Sequence, residues 1–199
     1  MSAVAVLFAR PDSFYKSLPG CDVFDITRDA RTFTGHAGIV AHPPCRAWGR
    51  LRTFAKPRND EKELALFALA AVRRNGGVLE HPRGSTLWQH ASLPAPGAAC
   101  DAFGGWTLGI HQREFGHRAE KPTLLYIVGV ERQELPPLPH LDLGYASHVI
   151  GGRIRVGGQG RCPDVSKAER EHTPPALALW LVVVADLARR NRAAAGGRW

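Results

Sequence analysis

The amino-acid sequence predicts an α/β fold in which a mostly parallel β-sheet is flanked by helices. Short apolar runs rich in β-branched residues, each stopped by proline or glycine, are typical of buried strands. At one place two such runs enclose a long amphipathic segment, the order that produces parallel strands joined by a helix. Because 199 residues are enough for one complete core, we expect a single α/β domain over residues 1–190 and a flexible tail over residues 191–199.

The first part of the chain contains three compact apolar runs. We predict strands over residues 4–8, 22–26 and 39–41. The third run meets Pro43 and Pro44, which forbid further pairing because proline lacks the N–H that a strand donates. The sequence therefore places Cys45 just beyond the end of a buried strand.

One helix is predicted between this strand and the next. Asn59 or Asp60 is suited to cap its N-terminus, and acidic residues follow in the first turn. An apolar stripe supplies the buried face: Leu64, Phe67, Leu69 and Val72. Glycines at 76 and 77 end the helix, and a strand over 77–80 follows. The order strand, helix, strand predicts a right-handed βαβ unit with parallel strands.

The second half of the chain is less regular. We predict two further strands over 106–111 and 123–129, and an irregular excursion over 135–160 because proline and glycine are frequent there. The last helix is expected over 176–190, with Thr173 as its N-cap and prolines in its first turn.

The charge balance favours a polyanionic partner. Lysine and arginine together number 26 against 18 acidic residues, which gives a formal net charge of +8. Nucleic acid is the commonest partner of so basic a chain. The alternative is a basic surface that binds nothing and reflects only a GC-rich genome.

Other compositional features narrow the class of protein. No apolar run is long enough to span a bilayer and no signal peptide is recognisable, so we expect a cytoplasmic protein without membrane contact. The four cysteines form no Cys-x-x-Cys pair, which argues against a zinc knuckle and a disulfide framework. His111 and His117 have no acidic or cysteine partner at metal-ligand spacing, so no metal site is predicted.

Cys45 is the first candidate for chemistry. In open α/β sheets, side chains beyond the carboxyl ends of strands commonly form ligand sites. Cysteine is strongly nucleophilic as a thiolate, and the positive field of Arg46, Arg50 and Arg52 is expected to favour that form. The alternative is that Cys45 is a small buried hydrophobic residue.

Glu80 ends the neighbouring predicted strand. An apolar strand there would desolvate the carboxyl group and raise its pKa, making it a proton donor. A cysteine beside such an acid suits attack on an electron-poor ring, with protonation of a ring nitrogen. The alternative is a surface or salt-bridged glutamate.

Other side chains near these two strand ends carry weaker hypotheses. His42 could tune the Cys45 thiol or be a structural loop residue. Trp48 and Trp88 could stack on a base or pack in the core. Arg118 and Lys121 could contact phosphates or belong to a solvated basic surface.

Three stretches together resemble a DNA cytosine-5 methyltransferase of the compact phage type. They are residues 43–48, 79–88 and 112–123. The resemblance implies a Rossmann-like, methyltransferase-type fold with a reduced N-terminal half and no large target-recognition domain. It implies that Cys45 adds to C6 of a flipped-out pyrimidine, that Glu80 hydrogen-bonds N3, and that Gln112 and Arg113 help to hold the base and its phosphate. The DNA contacts expected with it are Arg46, Trp48, Arg50, Arg83, His117 and Lys121.

The same resemblance implies S-adenosylmethionine as cofactor. Phe8, Asp25 and Pro43 occupy the corresponding positions, Asp25 being either the acid that binds the ribose or a solvated loop residue. The chain departs from the family here, because the turn over residues 8–13 contains no Gly-x-Gly, and because His81 replaces the usual asparagine after the glutamate.

Three functions therefore remain open. The first is modification of DNA at C5 of a pyrimidine by a transferase that adds Cys45 to C6. The second uses the same addition without S-adenosylmethionine, on a 5-hydroxymethylpyrimidine, as in DNA hypermodification. The third is a catalytically silent DNA-binding relative. In each, a partner protein could complete target recognition.

Overall fold

The computed structural model describes residues 3–50, 52–139, 141–151 and 162–196. The chain forms an α/β domain built on one six-stranded mixed sheet with the order β2-β1-β3-β4-β6-β5. The strands are β1 (Val4–Leu7), β2 (Cys21–Val23), β3 (Gly38–Ala41), β4 (Gly77–Pro82), β5 (Trp106–His111) and β6 (Pro122–Val128). The α-helices are α1 (Glu61–Asn75), α2 (Leu87–His90), α3 (Lys167–Glu171) and α4 (Pro175–Ala194).

The first four strands run parallel. β1 pairs with both β2 and β3, and β3 pairs with β4 in a register that places Ala41 opposite Leu79. The predicted βαβ unit, formed by β3, α1 and β4, is confirmed. β6 is antiparallel to both of its neighbours, β4 and β5, so the sheet is mixed. The connection over residues 112–121 is too short for a helical crossover, and the chain therefore returns antiparallel.

Helices cover both faces of the sheet. α4 packs over β1, β3 and β4 on one face, and α1 packs over β3 and β4 on the other. Successive side chains of β3 point to opposite faces of the sheet, so Val40 packs in the core under α4 and Ile39 packs in the core under α1. Gly38 lets α4 approach closely, since a Cβ there would lie 2.0 Å from the carbonyl oxygen of Ala185.

The ends of several elements differ from the sequence-based prediction. α1 begins where expected, but the Asp60 side chain does not cap it and instead accepts a hydrogen bond from Arg58. α4 starts after Pro174, so Thr173 is not its N-cap. α4 also continues to Ala194. In its last turn, the side-chain amide of Asn191 donates to the Gly129 carbonyl oxygen. The tail predicted to begin at residue 191 is therefore helical over 191–194.

Some predicted segments lie partly outside the described residues. The last three residues of the predicted tail, 197–199, are among them, as are residue 140 and residues 152–161 of the predicted excursion over 135–160. In the described part of that excursion the chain forms only one isolated β-bridge, between Val149 and Asp164. Within the described ranges, no helix is long and apolar enough to cross a membrane.

The strand order creates one distinctive edge. In the order 2-1-3-4 the direction of winding reverses between β1 and β3, and ligands bind outside the carboxyl ends of the strands at such a switch point. His42 and Cys45 follow β3 at this edge, and Glu80 lies near the end of β4. Because β6 is antiparallel, the 112–121 connection that leads into it lies at the same edge.

Candidate active site at the carboxyl edge of the sheet

Cys45 is presented in a tight turn directly after β3. The prolines before it end the strand, and the Cys45 carbonyl oxygen accepts hydrogen bonds from the N–H groups of Trp48 (3.1 Å) and Gly49 (2.7 Å). Pro43 is buried and Cys45 is exposed. A bulky reactant could therefore approach the thiol, and the alternative of a buried hydrophobic cysteine is wrong.

Glu80 is largely buried and is held by two N–H donors. Its side chain is 14% exposed, with the Nδ1 atom of His42 3.1 Å from Oε2. The Nε2 atom of Gln112 donates to Oε1 at 2.9 Å. Burial favours a higher pKa, but the His42 hydrogen bond and the charges of His42 and Lys121 outweigh it and lower the pKa of Glu80 to about 2. The prediction that Glu80 is a protonated, proton-donating acid is thus wrong, because Glu80 is a carboxylate at neutral pH.

His42 connects Glu80 to a buried tyrosine. The hydroxyl of Tyr15 lies 2.9 Å from Nε2 of His42, and the two rings are tilted with centroids 5.4 Å apart. Burial, followed by the negative charge of Glu80, raises the pKa of Tyr15 well above its ordinary value. The tyrosine therefore stays protonated, and Nδ1–H of His42 donates to the carboxylate. Nε2 accepts from the Tyr15 hydroxyl when the ring is neutral and donates to its oxygen when the ring is charged.

The β3–β4 register explains why His42 meets Glu80. Ala41 lies opposite Leu79 on parallel strands, so the next residue of each strand, His42 and Glu80, are neighbours. Sequence reasoning weighed His42 only against Cys45. The predicted parallel pairing already contained the signal for its contact with the glutamate.

Gln112 is fully buried behind Glu80. Its Nε2 also lies 3.1 Å from the hydroxyl oxygen of Thr123, while its Oε1 has no hydrogen-bond partner in the described part of the chain. An amide donor of this kind fixes one carboxylate oxygen in place. Gln112 therefore belongs to the site, as predicted, through its contact with Glu80.

Lys121 lies inside the cluster and is not part of an open basic surface. Its Nζ donates to the His172 carbonyl oxygen at 2.8 Å. Burial lowers the pKa of Lys121, and the negative charges of Glu80, Cys45 and Glu171 oppose that change. Its backbone has a left-handed φ of 44°. Lys121 is thus half-buried with its Nζ engaged by a backbone carbonyl, and its charge acts on both the thiol and the carboxylate, which differs from the predicted contact with a DNA phosphate.

The Cys45 thiol is protonated at neutral pH. Desolvation raises its pKa first and the charge of Glu80 second, while a backbone hydrogen bond and Lys121 act in the opposite direction. Arginines were expected to favour the thiolate. Arg46 instead pairs with Glu61, a fully buried residue in the first turn of α1. The neighbouring arginine field is thereby partly neutralised.

Arg113 holds a loop and does not reach this centre. Its guanidinium donates to backbone carbonyl oxygens of Leu143, Gly144 and Tyr145, at 2.9 Å for the last. It also donates to the His117 carbonyl oxygen at 3.3 Å. The structure therefore gives Arg113 a structural role that differs from the predicted contact with base and phosphate.

Three predicted DNA contacts are used inside the protein. Trp48 is 4% exposed and belongs to the core beneath α1. His117 is 5% exposed, with Nδ1 accepting from the Ala119 N–H and Nε2 lying 3.3 Å from the Glu169 carbonyl oxygen. Arg46 is engaged with Glu61. Trp48 and His117 cannot reach DNA from these positions, so those two predictions are wrong.

A basic loop beside Cys45 remains exposed. Arg50 and Arg83, both predicted DNA contacts, are exposed, as are Arg52 and Lys56. Phe54 stands between the last two and is 85% exposed. Sequence reasoning missed Phe54, although an aromatic residue among basic ones is the pattern typical of nucleic-acid contact.

The residues expected to hold S-adenosylmethionine do not fit that group. Both oxygens of Asp25 are engaged, Oδ1 by the backbone and hydroxyl of Thr27 (2.8 and 2.7 Å) and Oδ2 by Nζ of Lys16 (2.5 Å). These bonds lower the pKa of Asp25, which is buried, so it is neither a free ribose ligand nor a solvated residue.

The turn after β1 is closed by ion pairs. Arg10 bridges Asp12 and Glu171, at 3.0 and 2.5 Å, and Nε2 of His172 lies 3.1 Å from Asp12. Phe8, at the start of this turn, has a left-handed φ of 63°. Side chains therefore occupy the place where a glycine-rich turn would let a cofactor approach the backbone.

The described residues contain no group of three potential ligands placed to hold a metal ion. The site thus consists of an exposed cysteine, a carboxylate held by a histidine and a glutamine, and a half-buried lysine. A scan against protein-family models finds no matching family, and searches of curated proteins and of solved structures find no match.

Proposed function

We propose that this protein modifies DNA at C5 of a pyrimidine through covalent addition of Cys45 to C6. One observation carries the proposal: an exposed cysteine and a largely buried carboxylate stand at the ends of adjacent parallel strands, at the switch point of the sheet. The resemblance of the surrounding motifs to DNA cytosine-5 methyltransferases supports the same pairing. The proposal is further supported by the α/β fold, in which four parallel strands in the order β2-β1-β3-β4 form a switch point between β1 and β3.

Each group has a defined task in this reaction. The Cys45 thiol first loses its proton to solvent, and the positive charge of Lys121 favours the resulting thiolate. The thiolate then forms an Sγ–C6 bond, and the C5=C6 electron pair moves towards C5, which becomes nucleophilic. Glu80, as a carboxylate, accepts an N–H from the edge of the base and so orients the ring.

DNA is the proposed partner because exposed basic and aromatic residues follow the exposed Cys45 closely along the chain. Arg52 and Lys56 flank the exposed ring of Phe54 in the loop that follows Cys45. Cations of this kind contact phosphates, and an exposed ring can stack on an unpaired base. A pyrimidine must leave the duplex before a protein thiol can reach its C6.

A second candidate reaction needs no S-adenosylmethionine. It is favoured by the ion pairs that close the turn after β1 and by the engaged oxygens of Asp25. Addition of Cys45 to C6 of an esterified 5-hydroxymethylpyrimidine would place an electron pair at C5. That pair expels the ester oxygen and leaves an exocyclic methylene group. An amine then adds to the methylene and loses a proton, and Cys45 leaves as the ring double bond re-forms.

The addition step of the first reaction can be tested without any donor, on DNA whose target pyrimidine carries a hydrogen at C5. Addition at C6 lets C5 take up solvent hydrogen, so duplex DNA incubated in D₂O should gain deuterium at C5 of the target pyrimidine. We expect exchange with the wild type and with Cys100→Ser, a change at another exposed cysteine. Cys45→Ala should show none, and exchange that persists in that variant would exclude the mechanism.

The substrate series separates the remaining candidates. DNA containing cytosine tests the first reaction, and DNA containing 5-hydroxymethyl or esterified 5-hydroxymethyl pyrimidines tests the second by loss of the C5 substituent. Salt-dependent binding to all of these DNAs, with no exchange, no loss of substituent and no covalent adduct, would identify a silent DNA-binding protein and refute both reactions.

A further inference from the structure

Tyr15, His42 and Glu80 form a continuous hydrogen-bonded chain that the addition step does not use. Tyr15 is 1% exposed, and its hydroxyl is 2.9 Å from Nε2 of His42. Nδ1 of the same ring is 3.1 Å from Oε2 of Glu80. The three residues come from the 3₁₀ turn Phe14–Ser17, the end of β3 and β4. Three separate elements therefore converge on one imidazole.

The direction of each hydrogen bond follows from the two ends. A carboxylate can only accept, so Nδ1 must carry the proton that it shares with Glu80. The hydroxyl of the buried, protonated tyrosine donates to Nε2 of a neutral ring and accepts from Nε2–H of a charged one. Both ring nitrogens are then satisfied, and the imidazole cannot rotate without breaking one of the two bonds. His42 is thereby fixed as a donor to Glu80.

The carboxylate in turn depends on this donor. Gln112 supplies one N–H to Oε1, and His42 supplies the other to Oε2. Loss of the His42 donor would leave a desolvated carboxylate with a single hydrogen bond, a condition that favours protonation. A protonated Glu80 presents an O–H to the base in place of an acceptor and would orient the ring differently.

We propose that His42, anchored by Tyr15, is the positioning residue that keeps Glu80 an ionised acceptor for the base and so sets the acid limit of activity. This role rests on the proposed function, because the base is the group that Glu80 is positioned to meet. The chain acts through Glu80, and neither His42 nor Tyr15 touches the reacting atoms.

Other titratable groups face this chain and contribute to its field. Lys121, before β6, and His81, on β4, act on Glu80 together with His42. The charges of Glu80 and Glu171 raise the cost of ionising Cys45. Cys21, on β2, faces Tyr15. Only His42 among them makes a hydrogen bond to the carboxylate.

Two amide substitutions separate the halves of the chain. The amide of His42→Asn reaches the former Nδ1 position and can still donate to Glu80. The amide of His42→Gln reaches the former Nε2 position and keeps the contact with Tyr15 alone. His42→Leu removes both contacts. Comparing these variants therefore shows which ring nitrogen of His42 controls the ionisation of Glu80, separately from any need of the side chain for folding.

The direct measurement is a ¹³C NMR titration of the Glu80 carboxyl group in the full chain, assigned by its absence in Glu80→Gln. We expect the midpoint to rise least in His42→Asn, which keeps the hydrogen bond and loses only the ring charge, and to rise by at least one further pH unit in His42→Gln and His42→Leu. Equal midpoints in all four proteins would overturn the proposal. If His42→Leu does not fold, the asparagine and glutamine variants decide the question.

Activity provides the second readout. The acid limb of the C5-exchange rate should move further towards higher pH in His42→Gln than in His42→Asn. A shifted carboxyl titration with an unmoved acid limb would refute the role in positioning the base. Absence of exchange in the wild type would instead refute the proposed function, while the carboxyl titration would still report whether His42 holds Glu80 ionised.

Discussion

The acid stability of the protein should depend on Glu80. Its pKa is about 2 in the folded chain against an ordinary value of 4.5, so its ionised form contributes about 3 kcal/mol to the free energy of unfolding at neutral pH. Because the folded pKa is the lower one, this contribution is fully present above pH 4.5 and is lost as the pH falls through about 2. Roughly 2 kcal/mol of it should disappear between about pH 5 and pH 2.5.

Glu80→Gln removes the titration and isolates this contribution. Urea unfolding followed by circular dichroism at several pH values gives the free energy of unfolding of each protein. Between about pH 5 and pH 2.5 the wild type should lose roughly 2 kcal/mol more than the variant. Glu120→Gln is the control, since that side chain is 54% exposed. Parallel pH profiles for wild type and Glu80→Gln would refute the assignment of an ionised, hydrogen-bonded Glu80.

Three further outcomes are expected. Gly38→Ala should destabilise the fold by about 1–3 kcal/mol in urea unfolding, because its Cβ would meet the α4 backbone. Gly84→Ala, with open space around it, should be nearly neutral, and equal losses would contradict the close packing. Arg46→Ala should cost about 3–5 kcal/mol by the same assay because it leaves the buried Glu61 unpaired, and unchanged stability would leave Arg46 free for DNA. Alkylation of Cys45 by iodoacetamide, followed by mass spectrometry, should keep accelerating above pH 9 because burial raises the thiol pKa, whereas a plateau near neutral pH would indicate a thiolate.

The parallel core of the fold could be predicted from local signals. Prolines after Ala41 and glycines after Asn75 mark where an element must stop, and both marks are visible in the sequence. No comparable signal in the sequence indicates that β6 runs antiparallel to its neighbours. Its direction follows from how the 112–121 connection turns at the sheet edge, and its apolar run is compatible with either direction.

In the candidate site, too, some features could be predicted from the sequence and others could not. The adjacency of Cys45 and Glu80 follows from parallel neighbouring strands, and so it could be predicted. The charge state of Glu80 could not, because Lys121, one of the charges that lower its pKa, comes from a connection far along the chain. The sequence predicts that the Glu80 carboxyl group is desolvated, but it does not reveal the His42 hydrogen bond and the nearby charges that lower its pKa.

The errors among the expected DNA contacts also have one cause. Arginine, tryptophan and histidine are typical of nucleic-acid surfaces, yet burial depends on tertiary partners that residue type does not reveal. Trp48 packs under α1, and His117 is enclosed by backbone groups of Ala119 and Glu169. Phe54, an aromatic residue between Arg52 and Lys56, is instead 85% exposed.

Backbone strain indicates where this protein could be stabilised without loss of activity. Among the described residues, the non-glycine positions with positive φ are Phe8, Ser92 and Lys121. Such conformations cost about 1–3 kcal/mol each, and the cost is commonly accepted at functional sites. Phe8 and Lys121 lie at the sheet edge that carries the candidate site. Replacing them by residues that adopt a positive φ without strain would therefore raise stability but lower activity. Ser92, with φ of 49°, has no hydrogen bond to Cys45, His42 or Glu80 among the described residues, so glycine or asparagine there should stabilise the fold without loss of activity.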